Sequence, residues 1–333
     1  MKEKKVHYVY VSGENLRQLE KEFSSGITSK LLDWTSSEEV LNISHGAVNV
    51  TFFIYRRAHI MMSHGVADKN YLLRKDAAGG FEINKYRSVC VPGEWMKRKL
   101  LNTDGVELKE KQIKVVGWPR IDKLLAAQKE QKNTFSNFTK RINPFRKIKV
   151  LWAPTHGQES KEPTSSYPRF LSYEDKLKEI FDYDSSLHPN VRDSKTPTFQ
   201  KLLDADVVIA DRGTLVYEAW ALGKPVIFPS WIIKEANLRI GTGTAEHRIF
   251  SEGLGLHAES FDDMVKMIKE AKKPDTRVQS FMEDYLPKST HGKSYELISE
   301  AVREVWDSGD LRIKRKAMPP EAISETSPTS PSS

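Results

Sequence analysis

Four short polar groups stand where apolar runs of the sequence end. His64-Gly65 follows Ala58–Ser63, Thr155-His156-Gly157 follows Lys149–Pro154, His188-Pro189 follows Tyr183–Leu187, and Asp211-Arg212-Gly213-Thr214 follows Val207–Ala210. An imidazole titrates near neutrality, so each histidine is a candidate proton acceptor or a cation for offsetting developing charge. The Asp211–Thr214 group precedes an amphipathic helix whose apolar face is Leu215, Val216, Ala219, Trp220 and Leu222. The first amides and the positive dipole end of such a helix attract phosphate; Gly213 permits close backbone approach and Thr214 adds a hydroxyl donor. Glu218, one turn on, is a candidate acceptor for ribose hydroxyls. A competing reading is that Asp211 or Thr214 only caps the helix. Gly241-Thr242-Gly243-Thr244 is a Gly/Thr loop of the kind that touches phosphate, although ordinary loop chemistry explains it equally well. One lone histidine is as readily structural as functional. Three histidines and an aspartate, all at strand ends, point to a ligand site. No GxxxxGK[ST] loop is present, no GxGxxG follows the first strand, and no cluster has zinc or magnesium spacing. The expectation is therefore metal-independent chemistry with no bound cofactor, in which side-chain cations offset charge.

Such groups need a scaffold that brings strand ends together. In the first half, Val6–Val11, Ala58–Ser63, Ser88–Val91 and Ile113–Val116 read as strands. Glu14–Phe23, Glu94–Leu101 and Ile121–Lys132 read as helices between and after them. Asn133–Lys147 turns polar and contains Asn143-Pro144, so it reads as a linker. The rhythm restarts with strand Lys149–Ala153, helix Tyr173–Phe181, strand Tyr183–Leu187, helix Pro197–Leu203, strand Val207–Ala210, helix Thr214–Leu222 and strand Pro225–Phe228. Leu222-Gly223-Lys224-Pro225 is a helix stop, and Phe261–Ala271, Val278–Leu286 and Tyr295–Val305 are apolar-periodic helices. Two rounds of strand–helix alternation predict an α/β protein with two doubly wound, Rossmann-like domains facing a cleft. The predicted units are 1–146, 147–310 with the C-terminal helices, and a basic run with a disordered Pro/Ser/Thr/Glu tail over 311–333.

The composition narrows the partners. The chain has 333 residues and net charge +7. Residues 1–146 hold 26 Lys+Arg against 16 Asp+Glu, a net of +10; the remainder holds 26 against 29, a net of −3. All the excess lies in the first half, which suggests an anionic partner there, although a solvated lysine-rich surface is the plain alternative. Lys69, Arg74, Lys75, Lys97 and Arg98 are the candidate contacts. No apolar run approaches the ~20 residues of a transmembrane helix, and the N-terminus lacks a signal core, so the expected location is cytoplasmic with peripheral membrane contact allowed. The lone Cys90 excludes a disulfide framework.

Five motifs occur in a fixed order: His64-Gly-Val-Ala-Asp-Lys69, Gly117-Trp-Pro-Arg-Ile-Asp122, Val150-Leu-Trp-Ala-Pro-Thr155, Leu187-His-Pro-Asn190, and Asp206-Val-Val-Ile-Ala-Asp211 with Gly223-Lys-Pro-Val-Ile227. This series resembles the CDP-glycerol glycerophosphotransferase family of teichoic-acid and capsule polymerases, a GT-B fold group, over roughly residues 55–290. The resemblance implies His64 as general base, with His188, Asp211, Gly213 and Thr214 on the donor pyrophosphate. The family's double serine is Gly213-Thr214 here, and Asp-x-Gly-x with Glu218 also resembles donor loops of UDP-sugar enzymes, including non-hydrolysing UDP-GlcNAc 2-epimerases.

Residue chemistry and resemblance together predict a transferase acting on a nucleotide-activated donor. His64 and His188 are its catalytic candidates. His156, Asp211, Arg212, Gly213, Thr214, Glu218, Gly241 and Thr242 are on the donor side. With CDP-glycerol the attacked atom is phosphorus and CMP leaves; with a UDP-sugar it is the anomeric carbon and UDP leaves. The acceptor is an anionic molecule: a polyol-phosphate polymer, a lipid-linked glycan or DNA. A phage-type DNA glycosyltransferase, an epimerase and a non-catalytic nucleotide-binding module are the alternatives.

Overall fold

A computed structural model describes residues 3–68, 70–133, 146–155, 163–187, 198–234 and 241–313. His156, His188, Lys69, most of the 133–147 linker and the 314–333 tail lie outside the described residues.

The first sheet contains β1 (Lys5–Tyr10), β2 (Thr35–Val40), β3 (Val48–Thr51), β4 (Ile60–Met62), β5 (Ser88–Val91) and β6 (Ile113–Val115), in the order β2-β1-β3-β4-β5-β6. Every pairing is parallel. The second contains β7 (Lys149–Ala153), β8 (Asp182–Ser185), β9 (Val207–Ala210), β10 (Val226–Pro229) and β11 (Leu256–Ala258), in the order β11-β10-β9-β7-β8, also all parallel. Strands β3, β5, β9 and β10 are buried along their whole length, as parallel strands covered on both faces must be. The two doubly wound, Rossmann-like domains expected from the strand–helix rhythm are therefore present. Cys90, on β5, is a buried thiol whose pKa burial pushes up to about 12.

The helices are α1 (Glu14–Thr28), α2 (Glu94–Leu101), α3 (Pro119–Asn133), α4 (Glu174–Ile180), α5 (Thr198–Asp204), α6 (Thr214–Ala221), α7 (Ala245–Ser251), α8 (Phe261–Glu270), α9 (Thr276–Tyr285) and α10 (Ser294–Asp307). Helix α1 runs past Phe23, where the sequence pattern breaks at Ser24-Ser25-Gly26. A Cβ on Gly26 would lie 2.2 Å from the Tyr295 ring, so the residue that reads as a breaker makes room for α10. Strand β2 escaped the sequence reading because Thr-Ser-Ser-Glu-Glu-Val has no apolar face; it is an edge strand exposed throughout.

The terminal helices divide between the domains. Helix α9 packs on α6 and on α2 of the first domain, while α10 crosses back to α1, β5 and β6. Asp122 of α3 receives the Gly292 and Ser294 amides at the start of α10, at 2.7 and 2.9 Å. Gly117, at φ +73°, adopts the left-handed region where a side chain is strained, and a Cβ there would also meet Thr290 Oγ1 at 2.4 Å. The Gly117–Asp122 motif is thus the joint between the domains. One apolar cluster continues through this joint, from Phe23 and Phe52 through Trp118 and Ile121 to Tyr217, Phe281 and Val302.

Candidate functional site

In each sheet the chain winds outward in opposite directions from one pair of neighbouring strands, and ligands of open α/β sheets bind beyond the carboxyl ends of that pair. In the second domain the pair is β7 and β9. Asp211 follows β9 directly and is only 2% exposed. Its Oδ2 accepts from the Thr155 amide at 3.0 Å, the Ser165 hydroxyl at 2.9 Å and the Ser166 amide at 3.0 Å. Burial pushes its carboxyl pKa up, and these donors oppose the rise. Asp211 does not cap the helix. It ties the loop after β7 to the end of β9 and so frames the crevice.

Helix α6 starts with Gly213 at its N-cap, without a side-chain cap. Gly213 has φ +104° and ψ −171°, a conformation essentially reserved for glycine. Its amide donates to Glu246 Oε1 at 3.1 Å. Glu246 lies in the first turn of α7, is 1% exposed, and sets a carboxylate beside the helix start expected to receive phosphate. The next two amides, of Thr214 and Leu215, have no intrahelical acceptor by the geometry of a helix start. Thr244, next to the Gly241–Gly243 loop, caps α7 by accepting the His247 amide at 3.0 Å.

The first domain presents the turn after β4. His64 is half-buried there, stacked on Phe53 at 4.4 Å between centroids and edge-on to Tyr71 at 4.9 Å. These rings fix the plane of the imidazole. Gly65 faces the second domain directly: a Cβ built on it would lie 3.6 Å from Thr214 Oγ1. Further along the same turn, Asp68 crosses the cleft to accept the Ala245 amide of α7 at 2.9 Å. Lys99 pairs with that buried carboxylate at 2.8 Å, and a Cβ built on Gly241 would lie 2.7 Å from Asn70 Nδ2. The Tyr285 hydroxyl donates to the Val66 carbonyl. His64, Gly65, Asp211, Gly213, Thr214 and the Gly241–Thr242 loop are therefore brought to one cleft.

Other expected site residues are engaged elsewhere. Glu218 was expected at a ribose, yet it is fully buried and its Oε1 takes Arg120 Nε at 2.7 Å. Burial raises its pKa and Arg120 opposes the rise. A mid-helix carboxylate inside the contact between α6 and α3 belongs to the domain joint. Lys97 and Arg98 were expected to face acceptor phosphates; Lys97 pairs with Glu110 at 2.9 Å, and Arg98 makes a two-pronged pair with Asp284 of α9. Arg74 and Lys75 remain exposed and lie over Tyr55 and Phe81 respectively. Arg212 is half-buried beside the helix start. Sequence reasoning passed over Asp68, Arg120 and Glu246. The first two lie inside the quoted motifs. Glu246 carries no signal beyond following Thr244 at a helix start.

No protein-family model matches the chain, and no curated protein matches it. Among solved structures, the wall teichoic acid polymerase TagF is similar over 93% of this chain and 90% of its own, at 14% identity and a TM-score of 0.61. A variant of that polymerase soaked with CDPG covers the same shares at 14% identity and a TM-score of 0.58. A UDP-GlcNAc 2-epimerase from Methanocaldococcus jannaschii, in complex with UDP-GlcNAc and UDP, reaches a TM-score of 0.49 at 14% identity over 90% of this chain and 99% of its own. At 14% identity the likeness to TagF speaks to architecture: the chain has the two-domain GT-B fold.

Proposed function

We propose that this chain is a GT-B transferase that moves a glycerophosphate or glycosyl group from a nucleotide-diphosphate donor to a hydroxyl of an anionic acceptor. The observation that carries the reading is the apposition of His64-Gly65 and Gly213-Thr214 across the cleft, with Gly65 at contact distance from Thr214. A diphosphate on the start of α6 would meet the Thr214 and Leu215 amides and the Thr214 hydroxyl. His64, held by Phe53 and Tyr71, would take the acceptor hydroxyl proton. Arg212, with His156 and His188 from the adjoining segments, would offset charge on the departing nucleotide. The motif series resembling CDP-glycerol glycerophosphotransferases, with the fold likeness to a polymerase soaked with CDPG, favours a CDP-alcohol donor; a UDP-sugar is the second candidate.

The acceptor side favours a compact anion over duplex DNA. A duplex is held largely through a stripe of several cation contacts to successive phosphates. Among the described residues, Lys85, Arg87, Lys97, Arg98 and Lys99 are all committed to internal ion pairs, which breaks such a stripe.

A thermal-shift panel of CDP-glycerol, CDP-ribitol, UDP-glucose and UDP-GlcNAc identifies the donor by the ligand that raises Tm. His64→Asn is expected to lower transfer by about 10²–10⁴-fold while donor binding and Tm stay near wild type. Unchanged turnover would remove His64 as the base. Conversion of UDP-GlcNAc without an acceptor would establish the epimerase instead, and nucleotide binding without turnover would establish a binding module.

A further inference from the structure

The first sheet has its own reversal point, between β1 and β3. Beyond the carboxyl ends of these strands lie three charged side chains from two segments. Glu20, on the second turn of α1, is 1% exposed, and its Oε1 is pinned by the Val11 amide at the end of β1, at 3.0 Å. Its Oε2 is buried with no hydrogen-bond partner among the described residues. Arg17, one turn earlier, and Arg56, from the connection between β3 and β4, each have a buried Nε in the same condition. Both guanidinium groups pull electrostatically on Glu20. Two donors and one acceptor are thus removed from water together with no protein group to receive them, an arrangement that normally signals a missing partner.

The surroundings connect this crevice to the transfer site. The Arg56 guanidinium lies 4.8 Å from the centroid of the Tyr55 ring and that of Arg74 lies 5.6 Å from it. Tyr55 is 5.8 Å from Phe53, the ring on which His64 stacks. Among the described residues no acidic group stands within ion-pair distance of Arg17, Arg56, Arg57, Arg74 or Lys75. Arg17 and Arg56 are half-buried and Arg57, Arg74 and Lys75 exposed, unlike Lys85, Arg87, Lys97, Arg98 and Lys99, which pair within the chain.

We propose that the crevice between the ends of β1 and β3 is a binding site for a hydroxyl-bearing oxyanion, with Arg17 and Arg56 on the anionic oxygens and Glu20 Oε2 accepting the hydroxyl. The transferase reading is needed only to call this ligand the acceptor. A phosphate ester and a carboxylated sugar share the required chemistry. The site acts through contact with the ligand, so Arg17, Glu20 and Arg56 are substrate-binding residues. Burial pushes the Glu20 pKa up to about 7, with Arg17 and Arg56 opposing, so it titrates in the working range. Tyr10 of β1 also faces Glu20; burial raises its pKa, and it stays neutral. As pH falls through about 7, Glu20 loses its charge, Oε2 takes the proton and donates to the ligand hydroxyl instead of accepting from it while Oε1 keeps the Val11 amide, and an oxyanion is repelled less. Binding therefore strengthens toward acid.

Titration calorimetry on the full chain tests this with glycerol 3-phosphate, glucuronate and neutral glycerol. Either anion or both should bind and glycerol should not, the two anion arms telling the phosphate source from the carboxylate source. Arg17→Gln and Arg56→Gln should each weaken anion binding about tenfold while nucleotide binding and Tm are unchanged; should Arg56→Gln fail to fold, Arg17→Gln carries the test. Glucuronate, whose own charge is constant between pH 5.5 and 8.5, should bind more tightly at low pH to wild type and without pH dependence to Glu20→Gln. Binding of neither anion, equal binding of glycerol, or unchanged affinity in Arg17→Gln overturns the proposal, as does tight binding of a duplex oligonucleotide that displaces the anion. Nucleotide binding without anion binding sinks the site alone. Anion binding lost in the variants, with a silent nucleotide panel, sinks only the transferase reading.

Discussion

Removing Arg120 separates the two readings of Glu218. The Glu218 side chain is fully buried, Arg120 is 30% exposed, and they meet at 2.7 Å. Glu218 Oε2 has no hydrogen-bond partner among the described residues, so Arg120 is the main compensation for a charge inside the domain joint. Breaking a buried pair by removing one partner costs about 3–5 kcal/mol. Arg120 keeps some access to water, which places Arg120→Ala at the lower end, about 3 kcal/mol, or roughly 6–12 °C in Tm at 2–4 °C per kcal/mol. The pH dependence carries a sign. Burial raises the Glu218 pKa in the folded state, so the folded chain binds the proton more readily than the unfolded one. Stability from this group is complete below its unfolded pKa and falls as pH rises through the folded one. Without Arg120 the folded pKa rises further. The Tm gap between wild type and Arg120→Ala should therefore widen from pH 5 to pH 8, and adding Glu218→Gln should remove the widening. Differential scanning calorimetry at the two pH values reads this directly. A gap below about 1 kcal/mol, or one that does not change with pH, would refute the buried-pair argument. Loss of nucleotide affinity in Glu218→Gln at unchanged Tm would return Glu218 to the ribose.

Three further outcomes are expected. Glu246→Gln removes a carboxylate from the α6 start while keeping an oxygen for the Gly213 amide at 3.1 Å; nucleotide-diphosphate affinity should rise about tenfold in calorimetry, and weaker binding would mean that Glu246 contacts the donor. Asp68→Ala leaves the largely buried Lys99 ammonium with only Asn70 Oδ1 as a partner and the Ala245 amide without an acceptor; a loss of about 3 kcal/mol and faster proteolysis at the cleft should follow, whereas a wild-type unfolding curve would show that Asp68 does not hold the domains. Gly93→Ala would put a Cβ 2.2 Å from the Tyr285 carbonyl, so Tm should fall by an amount equivalent to about 1–3 kcal/mol of overpacking; an unchanged Tm would show that α2 and α9 can part without cost.

The sequence by itself determined the two doubly wound sheets and the residues at their strand ends. Apolar runs such as Val207–Ala210 and Ser88–Val91 are strands buried on both faces, and local pattern suffices to mark them. Helices α2 and α6 were legible because apolar spacing and a glycine stop are local signals. Strands β3 and β11 were not marked, because Val-Asn-Val-Thr is interrupted by polar side chains and β11 has three residues; the rest of what was illegible has a common cause. Strand β2 is held by hydrogen bonds to β1 rather than by an apolar face, and Gly26 serves a ring 269 positions away in the chain. The partners of charged groups followed the same rule. A lysine or arginine in a basic run looks alike whether it faces solvent or reaches Asp284, Glu110 or Asp68, because its long side chain finds a carboxylate that only folding brings near. Composition set the +10 excess of the first half. Tertiary structure decided which of those charges stay without an ion-pair partner among the described residues, around Tyr55 and the end of β1, and which are paired within the chain.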